Sequence, residues 1–340
     1  MVGVVRWGVL GAAGIARGQV IPAIQRSKNG RVVAIASRDG SRLAALGAQF
    51  GISAVYDDYS ALIHDPLVDA VYVPLPNALH AEWAIRAGEA GKAVLCEKPL
   101  AISAAQAQNV VDAFAGRIAP LMEGFMYRFH PQNVYALQLV ADGRIGAVRE
   151  VHAHLSVDIM ADFDSRNVRY SPSLGGGSLL DMGCYAVDVV RRVLGGEPRT
   201  VFGWLDVDKR LGVDVSAGAL LEYDDGRLGV ISSSFRAGGQ GTYRIIGANG
   251  AIEVPRAFIP GLGSRVAEGL VVVVDADGRR QEHVFEPTDH YQIMVEGFAA
   301  SVLARQPPPF AANEAVGNLR ILDAISASAR SGARVWLNGE

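Results

Sequence analysis

Val4-Val5-Arg6-Trp7-Gly8-Val9-Leu10 runs without a break into Gly11-Ala12-Ala13-Gly14-Ile15-Ala16. A short apolar run of this kind forms a buried parallel strand, and the residues that follow are helical in pattern to about Gln25. Strand, glycine turn and helix is the setting in which a dinucleotide fingerprint carries meaning. Gly11 makes the tight turn and Ala16 suits close packing of helix on strand. Ala13 stands where the fingerprint has its second glycine, so Gly14 shifts the backbone freedom one residue along. Gly11, Ala13, Gly14 and Ile15 are candidates for holding a pyrophosphate, although any βα turn can carry glycine.

The next strand, Arg31 to Ala36, ends in Ser37-Arg38-Asp39. An acidic residue at this tip hydrogen-bonds the ribose hydroxyls of NAD, whereas a serine followed by arginine offers a donor and a cation to a 2′-phosphate. Arg42 lies one helical turn beyond Arg38 and can close on the same phosphate. Ser37, Arg38 and Arg42 favour NADP(H) over NAD(H). Asp39, two residues late, keeps the NAD reading open, as does the plain alternative of a helix cap with solvated arginines.

Alternation of strands and helices continues: a helix from Tyr59 to His64, a strand from Val68 to Pro74, a helix capped by Asn77 and a strand from Ala93 to Cys96. Ser103 then caps a helix to Ala115, and Ile118 to Gly124 is strand-like. This is a doubly wound parallel sheet, whose strand tips face the ligand crevice. Pro74-Leu75-Pro76-Asn77 sits at one tip, with His80 a turn into the following helix. Glu97-Lys98-Pro99 sits at another; proline keeps Lys98 extended, where an ammonium can donate a proton to a developing alkoxide or stabilise its charge.

Length and charge bound the rest. The 340 residues, half of them hydrophobic, suggest two domains, read as 1–124 and 125–340. A formal charge of −3 argues against a nucleic-acid partner. No apolar run is long enough to span a membrane, the N-terminus lacks the order of a signal peptide, and two cysteines make no disulfide framework. A soluble, cytoplasmic protein is expected.

Past Phe125 the pattern becomes successive strands, in a second domain of α+β type with a large, mostly antiparallel open sheet. Arg149 to Ile159 alternates, placing His152 and His154 on one polar face without a third ligand at metal spacing, so no metal is expected. Asp224-Asp225-Gly226 makes a hairpin turn. Gly175-Gly176-Gly177 precedes a helix from Ser178 to Leu194 on which Asp181, Tyr185 and Asp188 recur at helical spacing. The stripe reads as solvent-facing or functional; three glycines, which let backbone approach a ligand closely, favour the second.

The glycine turn, Pro74-Leu75-Pro76-Asn77 with His80, Glu97-Lys98-Pro99, Met126-Tyr127-Arg128-Phe129-His130-Pro131 and the stretch from Gly175 to Asp188 together resemble the glucose–fructose oxidoreductase / inositol dehydrogenase (Gfo/Idh/MocA) family. The resemblance covers essentially the whole chain. It implies a Rossmann domain, a cis peptide before Pro99, a nicotinamide cofactor with Lys98 at the reaction centre, and a homodimer or homotetramer packed through the open sheet. The Tyr185 position is often histidine in the family. Tyrosine there looks like the branch with NADP-dependent xylose dehydrogenases and dihydrodiol dehydrogenases. A free phenol near pKa ~10 is a poor base, and a neighbouring ammonium makes it a better one.

The expected activity is hydride transfer between NADP(H) and a sugar, aldose or ketose, or a related polyol or carbonyl compound. Lys98 and Tyr185 are the acid/base pair, with Asp181 orienting substrate or tyrosine. Pro74, Leu75, Asn77, His80, Glu97 and Arg128 are further candidate cofactor contacts, Arg128 being equally readable as a structural salt bridge. A trans-dihydrodiol dehydrogenase and a dinucleotide-binding sensor without turnover are the alternatives.

Overall fold

The computed structural model describes residues 3–38, 40–260 and 267–337, with residues 40–42 by backbone alone. Asp39 and the Arg42 side chain, both weighed above as cofactor contacts, lie outside the described residues. The chain forms two compact units, Met1–Met126 with Asp289–Val316 and Tyr127–Thr288 with Gly317–Glu340. The sequence reading, 1–124 and 125–340, has the chain cross once. It instead returns, because the helix His290–Ala304 is apolar around most of its circumference and buries Met294, Val295 and Phe298 in the first unit.

Among the described residues of the first unit, six strands form one sheet. They are β1 (Val5–Leu10), β2 (Gly30–Ala36), β3 (Ala54–Tyr56), β4 (Ala70–Val73), β5 (Ala93–Cys96) and β6 (Leu121–Glu123), in the order β3-β2-β1-β4-β5-β6 and all parallel. The winding reverses between β1 and β4, which is where such sheets open a crevice at their carboxyl ends. Both faces are covered, so β4 and β5 are buried at every residue. The connecting helices are α1 (Ile21–Arg26), α2 (Gly40–Phe50), α3 (Tyr59–His64), α4 (Asn77–Glu89) and α5 (Ala104–Phe114).

Two local details differ from the sequence reading. Ahead of α1 the chain makes a π-type turn, Ala16–Val20, in place of a continuous α-helix. Pro22, inside α1, has no N–H for the Gly18 carbonyl, and the turn before it widens. Asn77 does not cap α4; Pro76 holds the cap position and Asn77 is the first helical residue. Ser103 does cap α5, accepting from Gln106 N at 3.3 Å. The Lys98–Pro99 peptide is cis.

The second unit is built on α6 (Pro131–Ala141), β7 (Val148–Ser156), α7 (Cys184–Leu194), β8 (Thr200–Val207), β9 (Asp214–Glu222), β10 (Leu228–Ser234), β11 (Gln240–Gly247), β12 (Gly250–Val254), β13 (Gly269–Asp275) and β14 (Arg280–Phe285). His290–Ala304 of the first unit becomes α8, α9 is Glu314–Ser331, and β15 (Val335–Trp336) closes one edge. The order of the nine described strands is β14-β13-β12-β11-β7-β10-β9-β8-β15, every pair antiparallel except β7–β10. Tyr223 N bonds Arg227 O across the Asp224-Asp225-Gly226 turn at 3.0 Å.

One sheet face is buried: Gly203 of β8 has no room for a Cβ against the Ile325 carbonyl of α9, and Gly229 of β10 lies against Val190 of α7. The other face leaves Phe202, Trp204 and Leu220 exposed. His154 lies on the sheet between Ser232 Oγ at 2.7 Å and Ser156 Oγ at 2.9 Å, and His152 pairs with Glu150. Among the described residues no cluster of three metal-ligating side chains occurs, and no helix is long and apolar enough to cross a membrane.

Candidate active site

The carboxyl ends of β1, β2, β4 and β5 carry most of the residues singled out from the sequence. Gly11 follows β1 with φ +96°, a conformation that side chains rarely adopt, and its N–H bonds Ala36 O at 2.7 Å, tying the first tip to the second. Gly14 is exposed, and a Cβ there would meet nothing within 4 Å. The backbone around Gly14 is thus open to a phosphate group at the start of a helix, even with alanine at position 13. At the β2 tip Ser37 is buried and Arg38 exposed. These residues fit a dinucleotide: a glycine turn at the reversal point, with a hydroxyl and a cation at the adjacent strand.

The β5 tip is held from several sides. Tyr72 of β4 donates its phenolic proton to Glu97 Oε1 at 2.6 Å, and Leu100 N–H donates to Glu123 Oε1 at 2.8 Å. His80 places Nδ1 2.7 Å from Pro99 O and Nε2 2.7 Å from Leu75 O. Lys98 itself is partly exposed between these anchors. Glu97 is nearly buried and turned to Tyr72. His80 is 1% exposed, and both ring nitrogens face the protein's own carbonyls. Burial first, then the charge of Lys98, push its pKa down to about 4, against the bonds to Pro99 and Leu75.

In the second unit the residues Asp181, Tyr185 and Asp188 take three different surroundings. A π-type turn, Leu179–Gly183, precedes α7 and carries Asp181, whose Oδ2 accepts from Arg169 Nε at 2.7 Å. Tyr185 is 4% exposed, its ring against Tyr127 (centroids 5.9 Å apart) and Phe258 (5.5 Å). Asp188 is fully buried; it bonds Arg128 Nε at 3.0 Å and Asn318 Nδ2 at 3.0 Å, and also takes Arg128 Nη2 and the Tyr127 hydroxyl. The stripe is therefore not solvent-facing. Arg128, with a side chain 1% exposed, forms a buried ion pair with Asp188, in keeping with the salt-bridge alternative of the sequence reading. Burial pushes Asp188 up, but the charge and bonds of Arg128, then Arg192 and Tyr127, outweigh it and leave its pKa below the ordinary value.

The glycine loop is also read differently. A Cβ on Gly176 would strike the Arg169 carbonyl, and one on Gly177, at φ +107°, would strike the Asp214 carboxylate. These glycines admit the protein's own groups. The same loop reveals a residue the sequence reading passed over. Arg169 is held above its ordinary pKa chiefly by the charge of Asp181, with burial opposing and Tyr185 adding to the rise. A cation thus stands in the field of the candidate tyrosine. No periodicity marks Arg169 in the sequence; the only signal was a basic residue in a loop leading to three glycines.

Residues 5–125 match the family described as "Oxidoreductase family, NAD-binding Rossmann fold", and residues 134–253 match the GFO/IDH/MocA C-terminal domain. The D-xylose 1-dehydrogenase (NADP(+)) 2 of Haloferax volcanii is 40% identical over 332 residues, 98% of this chain and 99% of that protein. The trans-1,2-dihydrobenzene-1,2-diol dehydrogenase of Xenopus tropicalis is 34% identical over 74% of this chain and 75% of its own. A crystal structure of a 3-ketoreductase from Actinomadura kijaniata in complex with NADP and TDP-benzene has a TM-score of 0.89 at 30% identity, over 96% of this chain and 98% of that one. The parallel sheet with its glycine turn, the open antiparallel sheet and these matches agree: the chain belongs to the Gfo/Idh/MocA family of oxidoreductases.

Proposed function

We propose that this chain is an NADP(H)-dependent dehydrogenase of an aldose or ketose sugar, with Tyr185 as the proton-exchanging group and Lys98 as the cationic partner. The observation that carries the reading is the arrangement at the first unit's strand tips: the Gly11–Gly14 turn with its open Gly14, Ser37 and Arg38 beside it, and Lys98 at the tip of β5. The 40% identity to an NADP-dependent xylose dehydrogenase makes D-xylose the first substrate to test. Aromatic trans-dihydrodiols follow from the Xenopus relative.

NADP(H), when bound, supplies a nicotinamide that exchanges hydride with the substrate carbon. Gly11, Ala13, Gly14 and Ile15 would receive the pyrophosphate, with Ser37, Arg38 and Arg42 at the 2′-phosphate. Pro74, Leu75 and Asn77 would line the same crevice. Tyr185 holds the proton exchanged with the substrate oxygen. Lys98 stabilises negative charge as it develops on that oxygen or on the phenol. Asp181, tethered to Arg169, orients the polar groups around Tyr185.

The cofactor assignment predicts a clear preference for NADPH over NADH in a fluorescence titration of the purified protein. A charge-assisted contact to phosphate is worth about 1.5–3 kcal/mol, so Arg38→Ala should weaken NADPH binding roughly 10- to 100-fold and leave NADH nearly unchanged. Equal losses for both cofactors would remove Arg38 from the phosphate site.

We also propose that a second copy of the chain covers the open sheet face. Phe202 and Trp204 on β8 and Leu220 on β9, directly opposite Phe202, leave large apolar side chains in water. The native protein should have the mass of a dimer or tetramer by light scattering, and a Trp204→Asp, Leu220→Asp variant that of a monomer. An unchanged mass would place the interface elsewhere.

A further inference from the structure

Three side chains hold the residues on either side of Lys98, and one of them does so from a helix outside the sheet. Tyr72 of β4 holds the Glu97 carboxylate and Glu123 of β6 holds the Leu100 N–H, each joining one neighbouring strand to the β5 tip. His80 reaches Pro99 O from one ring nitrogen and Leu75 O from the other, both at 2.7 Å. Leu75 belongs to the tip of β4. The imidazole therefore joins the tips of the adjacent strands β4 and β5, on one side of the crevice, and it does so from the first turn of α4, fully out of solvent.

The ring's chemistry matches a spacer better than a catalyst. A neutral imidazole has one donor and one acceptor nitrogen, and both partners here are carbonyl oxygens, which only accept. A neutral ring therefore donates to one of the two carbonyls, and a protonated ring donates to both. Neither nitrogen is free to meet substrate or cofactor.

We infer that His80 is a positioning residue, which sets the distance between the β4 and β5 tips and thereby the place of the Lys98 ammonium. The inference rests on the reading of Lys98 as the cationic partner in the reaction. It predicts that loss of the imidazole acts through Lys98 and not through stability alone.

Two variants test it. His80→Phe keeps the ring's bulk and removes both contacts; His80→Gln can keep one hydrogen bond and serves where the first fails to fold. Competitive acetylation, read by mass spectrometry, gives the reactivity of Lys98 relative to Lys28, whose side chain is 80% exposed. Both variants should shift that ratio by ~3-fold or more, because the ammonium's surroundings change. In turnover of D-xylose with NADP(+), His80→Phe should lower kcat by roughly 10- to 100-fold, the order of loss that about 1 Å of misplacement brings. His80→Gln should fall between it and the native enzyme. Placed in a Lys98→Met background, His80→Phe should add little further loss, the non-additivity of residues acting as one unit.

An unchanged labelling ratio in a folded variant would overturn the inference. So would a kcat loss that multiplies fully with that of Lys98→Met. If Lys98→Met turns over normally, the proposed role of Lys98 fails and takes this one with it. If Lys98→Met is inactive while the His80 variants label and turn over as native, only the positioning role is lost.

Discussion

Tyr185→Phe is expected to lower kcat by ~100-fold or more while NADPH binding stays intact. The substitution removes one oxygen and little else. The ring lies edge-on to Tyr127 and tilted against Phe258, contacts that phenylalanine repeats, so the buried end of α7 should keep its packing. What disappears is the hydroxyl in the field of Arg169 and Asp181. The check is kcat for the best sugar substrate, followed by NADPH absorbance, with cofactor affinity measured by fluorescence on the same preparation. Native turnover in the variant would take Tyr185 out of the mechanism. A parallel loss of NADPH affinity would mean that the ring supports the cofactor and not the proton transfer.

The second large effect is on folding. Arg128→Leu leaves the Asp188 carboxylate buried without its cation, and breaking a buried pair from one side costs about 3–5 kcal/mol. For a chain of this size that should lower the melting temperature by roughly 4–7 °C. Asp188→Asn should be destabilised in the same direction, since Arg128 is then the orphan. The sign with pH follows from the depressed pKa of Asp188. Its contribution is fully present above the ordinary carboxylate value and is lost as the pH falls below it through the folded value. The native protein should therefore lose this stabilisation only in acid, while Arg128→Leu lacks it at neutral pH. Thermal melts of both proteins at neutral and acid pH give the answer. Near-equal melting temperatures at neutral pH would show that Tyr127 and Asn318 satisfy Asp188 alone.

The parallel sheet was legible because its central strands are short apolar runs bounded by glycine, proline or a capping serine. Val4–Leu10 and Ala93–Cys96 can be little else. β3 escaped, being three residues at the sheet edge with no alternation to read. The helix His290–Ala304 could not be placed from sequence. A helix apolar on most sides says that it is buried, not against which unit.

Site residues divided in the same way. Lys98 and Tyr185 were singled out because proline and helical spacing fix local geometry. Arg128 and Asp188 lie 60 positions apart, so sequence left a salt bridge of Arg128 as one of two readings and did not name its partner. Arg169 was silent, since its meaning comes only from the carboxylate it meets. The three glycines invited a ligand and proved to accommodate Arg169 O and Asp214.

The return of α8 has a consequence for synthesis. Trp7 on β1 packs its ring 5.6 Å from Phe298, and Asn29 Nδ2 bonds Glu296 O at 2.9 Å. Until those residues leave the ribosome, the first sheet has one flank bare. The stretch from Met126 to Ala304, at about 5–20 residues per second, takes roughly ten to thirty seconds to make. During that interval the nascent chain presents an uncovered apolar surface around Trp7, which is where a ribosome-associated chaperone would find it.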